Sequence, residues 1–378
     1  NSFMESVWWA LKQMWDKELI YEGRKVLMYC PRCETPLAKA EVAMDNSYKT
    51  VTEEAVTVKF KVKPGQKISN WTTDENTYLL AWTTTPWTLP GNVALAINSS
   101  LEYELIKQGE EILILAKDSP QHLSEKSSDI AASRRQTFLR DIVASSIREF
   151  KGKDIVGLEY EPLYEIPVVK NSGKKSHYVV EGDFVNTEDG TGIVHIAPMH
   201  GEDDYNIGVK YDLPIAPLLD SGGHFNKEAP EFIQGFYLKK GEKYIKEDLE
   251  KRGLIFAKQA HTHSYPHCHR CETPLYYSAL SSWFINIQKV KNRLVQLNEK
   301  INWQPEHLKH GRFLNIVKDA PDWNISRNRY WASPLPIWKC QKCQKVELIG
   351  SLEELKKKTR KSGNKYFVMR HGEGTHNV

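Results

Sequence analysis

Apolar side chains open the chain at helical spacing, at Phe3, Val7, Trp8, Leu11, Met14 and Trp15, and a short strand pattern follows over 25–29. From about residue 50 the period changes to two. Val56, Val58, Phe60 and Val62 alternate with Thr57, Lys59 and Lys61 until Pro64-Gly65 ends the run. Strand patterns continue over 78–83, 93–97, 101–106 and 111–115, with Asn98-Ser99-Ser100 and Gln108-Gly109 as turns. Many short strands divided by turns predict a compact barrel or sandwich. The polar stretch 119–135 reads as a surface helix and loop. Strands are expected again over 165–169, 178–185 and 193–196, the last entered through the turn Asp189-Gly190-Thr191-Gly192. A short helix from Asp203 through Lys210 suits an acidic helix start, and 239–252, 283–297, 306–317 and 351–359 also read as helical.

One stretch breaks the alternation. Thr83-Thr84-Thr85-Pro86-Trp87-Thr88-Leu89-Pro90-Gly91-Asn92 places three hydroxyls at the end of a strand pattern, framed by two prolines. Each proline fixes its own φ, removes a donor and biases the residue before it towards extended backbone, so a rigid extended loop is expected. Such a loop can present the groups of Thr84, Thr85 and Asn92 at little further entropic cost. On the residues alone, a threonine-rich strand end running into a proline turn is the simpler account.

Composition narrows the class only slightly. At 378 residues, 40% hydrophobic and 26% charged, the chain is an ordinary globular sequence of two or three domains. A net charge of +4 permits a nucleic-acid partner without requiring one. No apolar run is long enough to span a bilayer and no signal pattern opens the chain, so a cytoplasmic protein that engages no membrane is expected. The six cysteines agree with that compartment, because all fall in Cys-x-x-Cys pairs, a metal spacing. The start at Asn1 and the end at Val378, inside an apparent motif, read as a piece of something longer.

Cys30-Pro31-Arg32-Cys33 and Cys268-His269-Arg270-Cys271 are each followed by the same Glu-Thr-Pro-Leu. Four thiolates suit tetrahedral zinc, and a closed sulfur set describes a structural site. Assembled from pairs so far apart, it would pin the neck of an inserted domain. His267 and His269 are read as flanking residues, and Cys340 with Cys343 as half of a second site.

Taken together, these segments resemble the isoleucyl-tRNA synthetase family, class I aminoacyl-tRNA synthetases. The resemblance rests on Glu5-Ser6-Val7-Trp8-Trp9 with Lys12-Gln13, the threonine loop, 190–198 with Asp204-Tyr205, Ser282-Trp283-Phe284, and the run from Asp322 to Trp331. The spelling Pro86-Trp87-Thr88-Leu89-Pro90 disfavours the valyl and leucyl relatives, and a zinc-stapled module that holds tRNA without hydrolysis is the alternative of another class. The fold implied is a β-rich (α+β) editing barrel inserted into parts of a Rossmann-like α/β catalytic domain, with zinc-ribbon-like Cys-x-x-Cys modules. Residues 1–43 would end the first Rossmann-like half with a zinc half-site, 44–262 would be the editing domain, and 263–345 would return into the second half. Residues 346–378 would be a linker and the start of an insertion, since Arg370-His371-Gly372-Glu373 resembles the opening of a histidine phosphatase. The ATP-handling signatures His-Ile-Gly-His and Lys-Met-Ser-Lys-Ser do not occur in the chain, so aminoacylation, with its ATP and Mg2+, is assigned to the full-length enzyme.

The activity implied is hydrolysis of valine mischarged on the 3′ end of isoleucine tRNA, by a monomer. A hydrophobic pocket separates these amino acids only about a hundredfold, a magnitude established for isoleucyl enzymes themselves, so a second sieve is needed. The family roles fall on Asp204 for the substrate ammonium, on His195 as the wall of the side-chain pocket, and on Thr83, Thr84, Thr85 and Asn92 for the adenosine, the ester and the attacking water. On residues alone His195 is more often a packing residue, and Asp204 is as readily a helix-start residue. No cysteine or serine stands where a nucleophile would, so direct attack by water, with Thr84, Thr85 and Asp204 catalytic, is expected.

Overall fold

A computed structural model describes residues 2–43, 47–119, 145–326 and 333–359. The 119–135 stretch beyond Ser119, the Arg327–Trp331 part of the tryptophan-rich run, and Arg370-His371-Gly372-Glu373 lie outside the described residues. The chain forms two compact units, residues 26–279 and residues 1–25 with 280–378. The boundaries expected at 43/44 and 262/263 both fall inside the first of these, which therefore holds both cysteine pairs as well as the β-rich body.

That body is built on a six-stranded sheet. Its order is Ser145–Lys151, Glu102–Gln108, Glu111–Ala116, Thr77–Thr83, Tyr48–Lys61 and Ile255–Pro266. All neighbours are antiparallel except Thr77–Thr83 and Glu111–Ala116. A three-stranded sheet sets Ala94–Ile97 between Tyr178–Glu181, parallel to it, and Val194–Ile196, antiparallel. The alternation read from residue 56 buries Val56, Val58, Phe60 and Val62 completely. Burying each such side chain contributes about 1.5–3 kcal/mol.

The turn into Val194–Ile196 explains its two glycines. Gly190 and Gly192 have φ of +75° and +69°, and a Cβ on Gly192 would lie 2.3 Å from that of Ala116. Between them Thr191 is buried and donates to Ile193 O at 3.3 Å. Tyr103, buried in the six-stranded sheet, ties down the same turn by donating to Gly192 O at 2.7 Å.

Three expectations change. The threonine loop is not extended throughout: Pro86–Gly91 closes as a 3-10 turn, with Thr88 N donating to Thr85 O and Asn92 N to Leu89 O. Pro86 stands at the first turn, where its fixed φ is helical and its missing donor costs nothing. Residues 165–169 do not form a strand, because Pro167 starts the short helix Pro167–Lys170. The 283–297 segment begins as strand, Tyr276–Ile285, before the helix Ile287–Asn298, capped by the Asn286 side chain.

In the other unit the helix Ser2–Asp16 buries Trp8 and Leu11. Leu11 joins a core with Ile20, Ile285, Ile287 and Leu348, and Trp8 Nε1 donates to Pro334 O at 2.9 Å. Asp322 accepts from Tyr21 Oη at 2.6 Å and from Lys25 Nζ at 2.9 Å. Two described strand pairings here, Tyr276–Ile285 with Trp323–Asn324 and Ile337–Lys339 with Val346–Leu348, are antiparallel.

Candidate hydrolytic cavity and cysteine cluster

A cavity of about 340 Å³ opens in the β-rich unit, lined by Trp82 to Thr85, Thr88, the segment Phe184 to Asn186, residues from Glu188 to His195, Ala197, His200 and Asp204. Thr83, Thr84, Thr85, His195 and Asp204 thus meet around one space, although more than a hundred residues separate the threonines from His195. Asn92 is not among the lining residues. Its amide donates to Ala94 O and its carbonyl accepts from the buried Tyr160 Oη at 2.7 Å, so the side chain anchors the end of the 3-10 turn.

The threonines divide their work. Thr83 Oγ1, buried, accepts from Thr85 N at 3.1 Å and holds the strand end in shape. Thr84, half-buried, has no hydrogen-bond partner among the described residues, which leaves its hydroxyl available to a ligand. Thr88 Oγ1 donates its single proton to Thr85 O at 2.8 Å. Towards His195 Nε2, 3.0 Å away, it can then only accept.

That requirement sets the His195 tautomer. Nε2 carries the proton, and Nδ1 is a bare acceptor, buried with no partner among the described residues. Burial, with a smaller contribution from His200, pushes the imidazole down to about 4, so it stays neutral at physiological pH. The strand register fixes the ring: His195 sits opposite Leu95 in the three-stranded sheet.

Asp204 stands in the first turn of the helix Glu202–Lys210. Its Oδ1 accepts from Ala197 N at 2.7 Å. Gly201 has no side chain for a steric reason, since a Cβ there would lie 2.1 Å from Asp204 Oδ2. Burial raises the carboxyl to about 7, against hydrogen bonds from Ala197 N and from its own amide, and the charge of Asp203 adds to the rise. The site therefore holds a carboxyl whose ionisation a cation would favour. Neighbouring Asp203 is exposed and does not line the cavity.

Thr88, His200 and Trp82 were not singled out from sequence. All three lie in or beside runs marked by their neighbours, and what hid them was that a hydrogen-bond partner or a facing ring from distant sequence gives each its place.

At a second location in this unit the Sγ atoms of Cys30, Cys33, Cys268 and Cys271 all lie within 4.8 Å of one another. Cys271 Sγ is 3.4 Å from Cys30 Sγ and 3.5 Å from Cys33 Sγ. Sulfurs around a tetrahedral metal with bonds of about 2.3 Å would stand about 3.8 Å apart, so the set fits a metal ion. The repeated sequence makes the same turn twice, with Glu34 at φ 46° and Glu272 at φ 59° after the second cysteine of each pair. Burial pushes the Cys30 thiol strongly up, a cost that a bound cation would offset. His267 donates through its backbone to Ser47 and His269 touches Arg270; neither joins the cluster. Cys340 and Cys343 are exposed, and no cluster of three or more metal-type ligands forms around them among the described residues.

Residues 1–373 match the sequence family described as tRNA synthetases class I (I, L, M and V). The isoleucine–tRNA ligase of Clostridium novyi (strain NT) is 46% identical over 358 residues, 95% of this chain and 31% of that protein. That of Thermus thermophilus is 41% identical over 360 residues, 95% of this chain and 32% of that protein. The chain spans about a third of the length of the curated relatives it matches. Among solved structures, the editing domain of the P. knowlesi cytosolic leucyl-tRNA synthetase covers 55% of this chain and 96% of its own at 15% identity, with a TM-score of 0.38. The P. falciparum counterpart in space group P1 covers 55% and 99% at 14% identity, TM-score 0.36, likenesses too distant to add to the sequence match.

Proposed function

Since the chain belongs to the class I tRNA synthetases of the isoleucine, leucine, methionine and valine group, we propose that it is the editing segment of an isoleucyl-tRNA synthetase. Its reaction is hydrolysis of valine esterified to the 3′-terminal adenosine of isoleucine tRNA. The whole enzyme, cytoplasmic and monomeric, would ligate isoleucine to that tRNA with ATP and Mg2+. The observation that carries this reading is the cavity itself, where threonine hydroxyls, a neutral histidine and a carboxyl group converge from distant sequence.

The Asp204 carboxylate receives the ammonium of the aminoacyl group by a charge-assisted hydrogen bond. His195, held by Thr88, forms the wall that admits valine and stops isoleucine. Water attacks the ester carbonyl while Thr84 and Thr85 hydroxyls and nearby main-chain amides donate to the developing oxyanion. The bond from the carbonyl carbon to the ribose oxygen then breaks, that oxygen takes the water's proton, and free valine and uncharged tRNA leave. Asn92 acts behind the loop, seating the adenosine only through the backbone it fixes.

The four-cysteine cluster is assigned Zn2+ as a structural ion, held by Cys30, Cys33, Cys268 and Cys271 at the base of the body. Cys340 and Cys343 would supply half of a second site.

Isoleucine tRNA charged with valine tests the reading. Incubation with the chain should release free valine, and the Thr84→Ala and Asp204→Ala variants should lose release while keeping the parent's circular dichroism. Intact tRNA binding without any release of valine would overturn it in favour of a binding module.

A further inference from the structure

His200 lines the same cavity as Asp204. Its Nδ1 lies 3.0 Å from Tyr277 O, which can only accept, so Nδ1 carries the proton. The ring also meets Trp87 edge to face at 4.7 Å and Tyr276 at 6.2 Å. Trp87 belongs to the 3-10 turn of the threonine loop, so the imidazole is clamped between that turn and the Tyr276–Ile285 strand. Burial keeps the imidazole neutral, pushing it down to about 4 against the Tyr277 hydrogen bond. With Nδ1 committed, Nε2 is the lone pair left over; it is not among the buried unpartnered atoms and has no partner among the described residues. One residue on, Gly201 lets the Asp204 carboxylate fold back against the backbone beside His200.

From this geometry we infer that His200 Nε2 is a second acceptor for the substrate ammonium, sharing it with the Asp204 carboxylate. The inference deepens the editing reading and rests on it. An ammonium brings three N–H donors, and one carboxylate with an oxygen already engaged by Ala197 N leaves donors unmet. A protonated histidine here would repel the cation. The clamp yields an imidazole that is neutral and points its acceptor, not its donor, away from Tyr277.

The test compares two esters on isoleucine tRNA: valyl, and 3-methylbutanoyl, which keeps the carbon skeleton and lacks the ammonium. His200→Phe retains the ring packing against Trp87 and Tyr276 and removes both nitrogens. It should lower kcat/KM on the valyl ester roughly ten- to a hundredfold, the range for a hydrogen bond to a charged group, chiefly through KM, and leave the 3-methylbutanoyl ester unchanged. His200→Gln, which returns an acceptor near the Nε2 position, should recover part of the loss and carries the comparison if the phenylalanine variant does not fold. Equal losses on both esters, as for a residue that orients water or only supports the fold, would overturn the ammonium role. Failure of the parent chain to hydrolyse the valyl ester at all would overturn the editing reading itself, a separate result.

Discussion

The two cavity groups with the clearest chemical personalities, Asp204 and His195, owe them to opposite uses of burial. Desolvation raises the Asp204 carboxyl to about 7 and pushes the His195 imidazole down to about 4, disfavouring the charged form of each. The carboxylate that binds an ammonium is then present above about pH 7. Valine release should fall as pH drops through 7, and a kcat/KM profile should show that limb in the parent and lack it in Asp204→Asn. Stability runs the other way. A carboxyl raised from 3.8 contributes fully below its unfolded value and loses that contribution as pH climbs through 7. Asp204→Asn should therefore melt progressively higher than the parent as pH rises over this window, and a gap that closes instead would contradict the assignment. Thr88→Val would leave the His195 Nε2 proton buried without an acceptor, at a cost of about 1–3 kcal/mol. The ring should turn, and the variant should begin to hydrolyse isoleucyl ester; the ratio of isoleucyl to valyl hydrolysis measures it.

Among elements, legibility followed the strength of periodicity. The helices Ser2–Asp16 and Leu238–Lys251 are legible from apolar spacing and the helix Glu202–Lys210 from its acidic first turn, while the strands around Phe60 and Leu80 show as apolar runs whose side chains are buried. The strand Ile255–Pro266 is not legible in this way. It is the edge of its sheet, and its Lys-Gln-Ala-His-Thr-His-Ser run has no apolar alternation because its long pairing with Tyr48–Lys61 supplies the order instead. The 3-10 turn is hidden for another reason: Pro86, a residue type that reads as a helix breaker, is well suited to a first helical turn. Within the cavity, residue types drew attention to the threonine loop and the family resemblance to His195 and Asp204, whereas the inward commitment of Asn92 depends on Tyr160, a partner that no local pattern announces. Gly192 sits where the turn meets the sheet, with positive φ and the Ala116 methyl close by. Gly192→Ala should cost on the order of 2–4 kcal/mol from strain and overpacking together, read as a lower urea midpoint, and should weaken valine release with it.

At the scale of the molecule, the cysteine cluster joins segments more than two hundred residues apart in one unit. If the proposed zinc site is right, chelation or Cys33→Ser should lower the melting temperature of this unit and release about one equivalent of zinc. Cys340→Ser should leave that equivalent in place. No described helix is long and apolar enough to cross a membrane. The distance along the chain has a consequence for how the protein is made. The ribosome adds 234 residues between Cys33 and Cys268. At about 5–20 residues per second that is a wait of roughly 12–50 seconds. During it the first pair exists as bare thiols beside an unfinished sheet. Under the zinc assignment, the order of synthesis makes the reducing power of the surroundings, and the timing of metal delivery, part of what decides whether the nascent chain closes correctly.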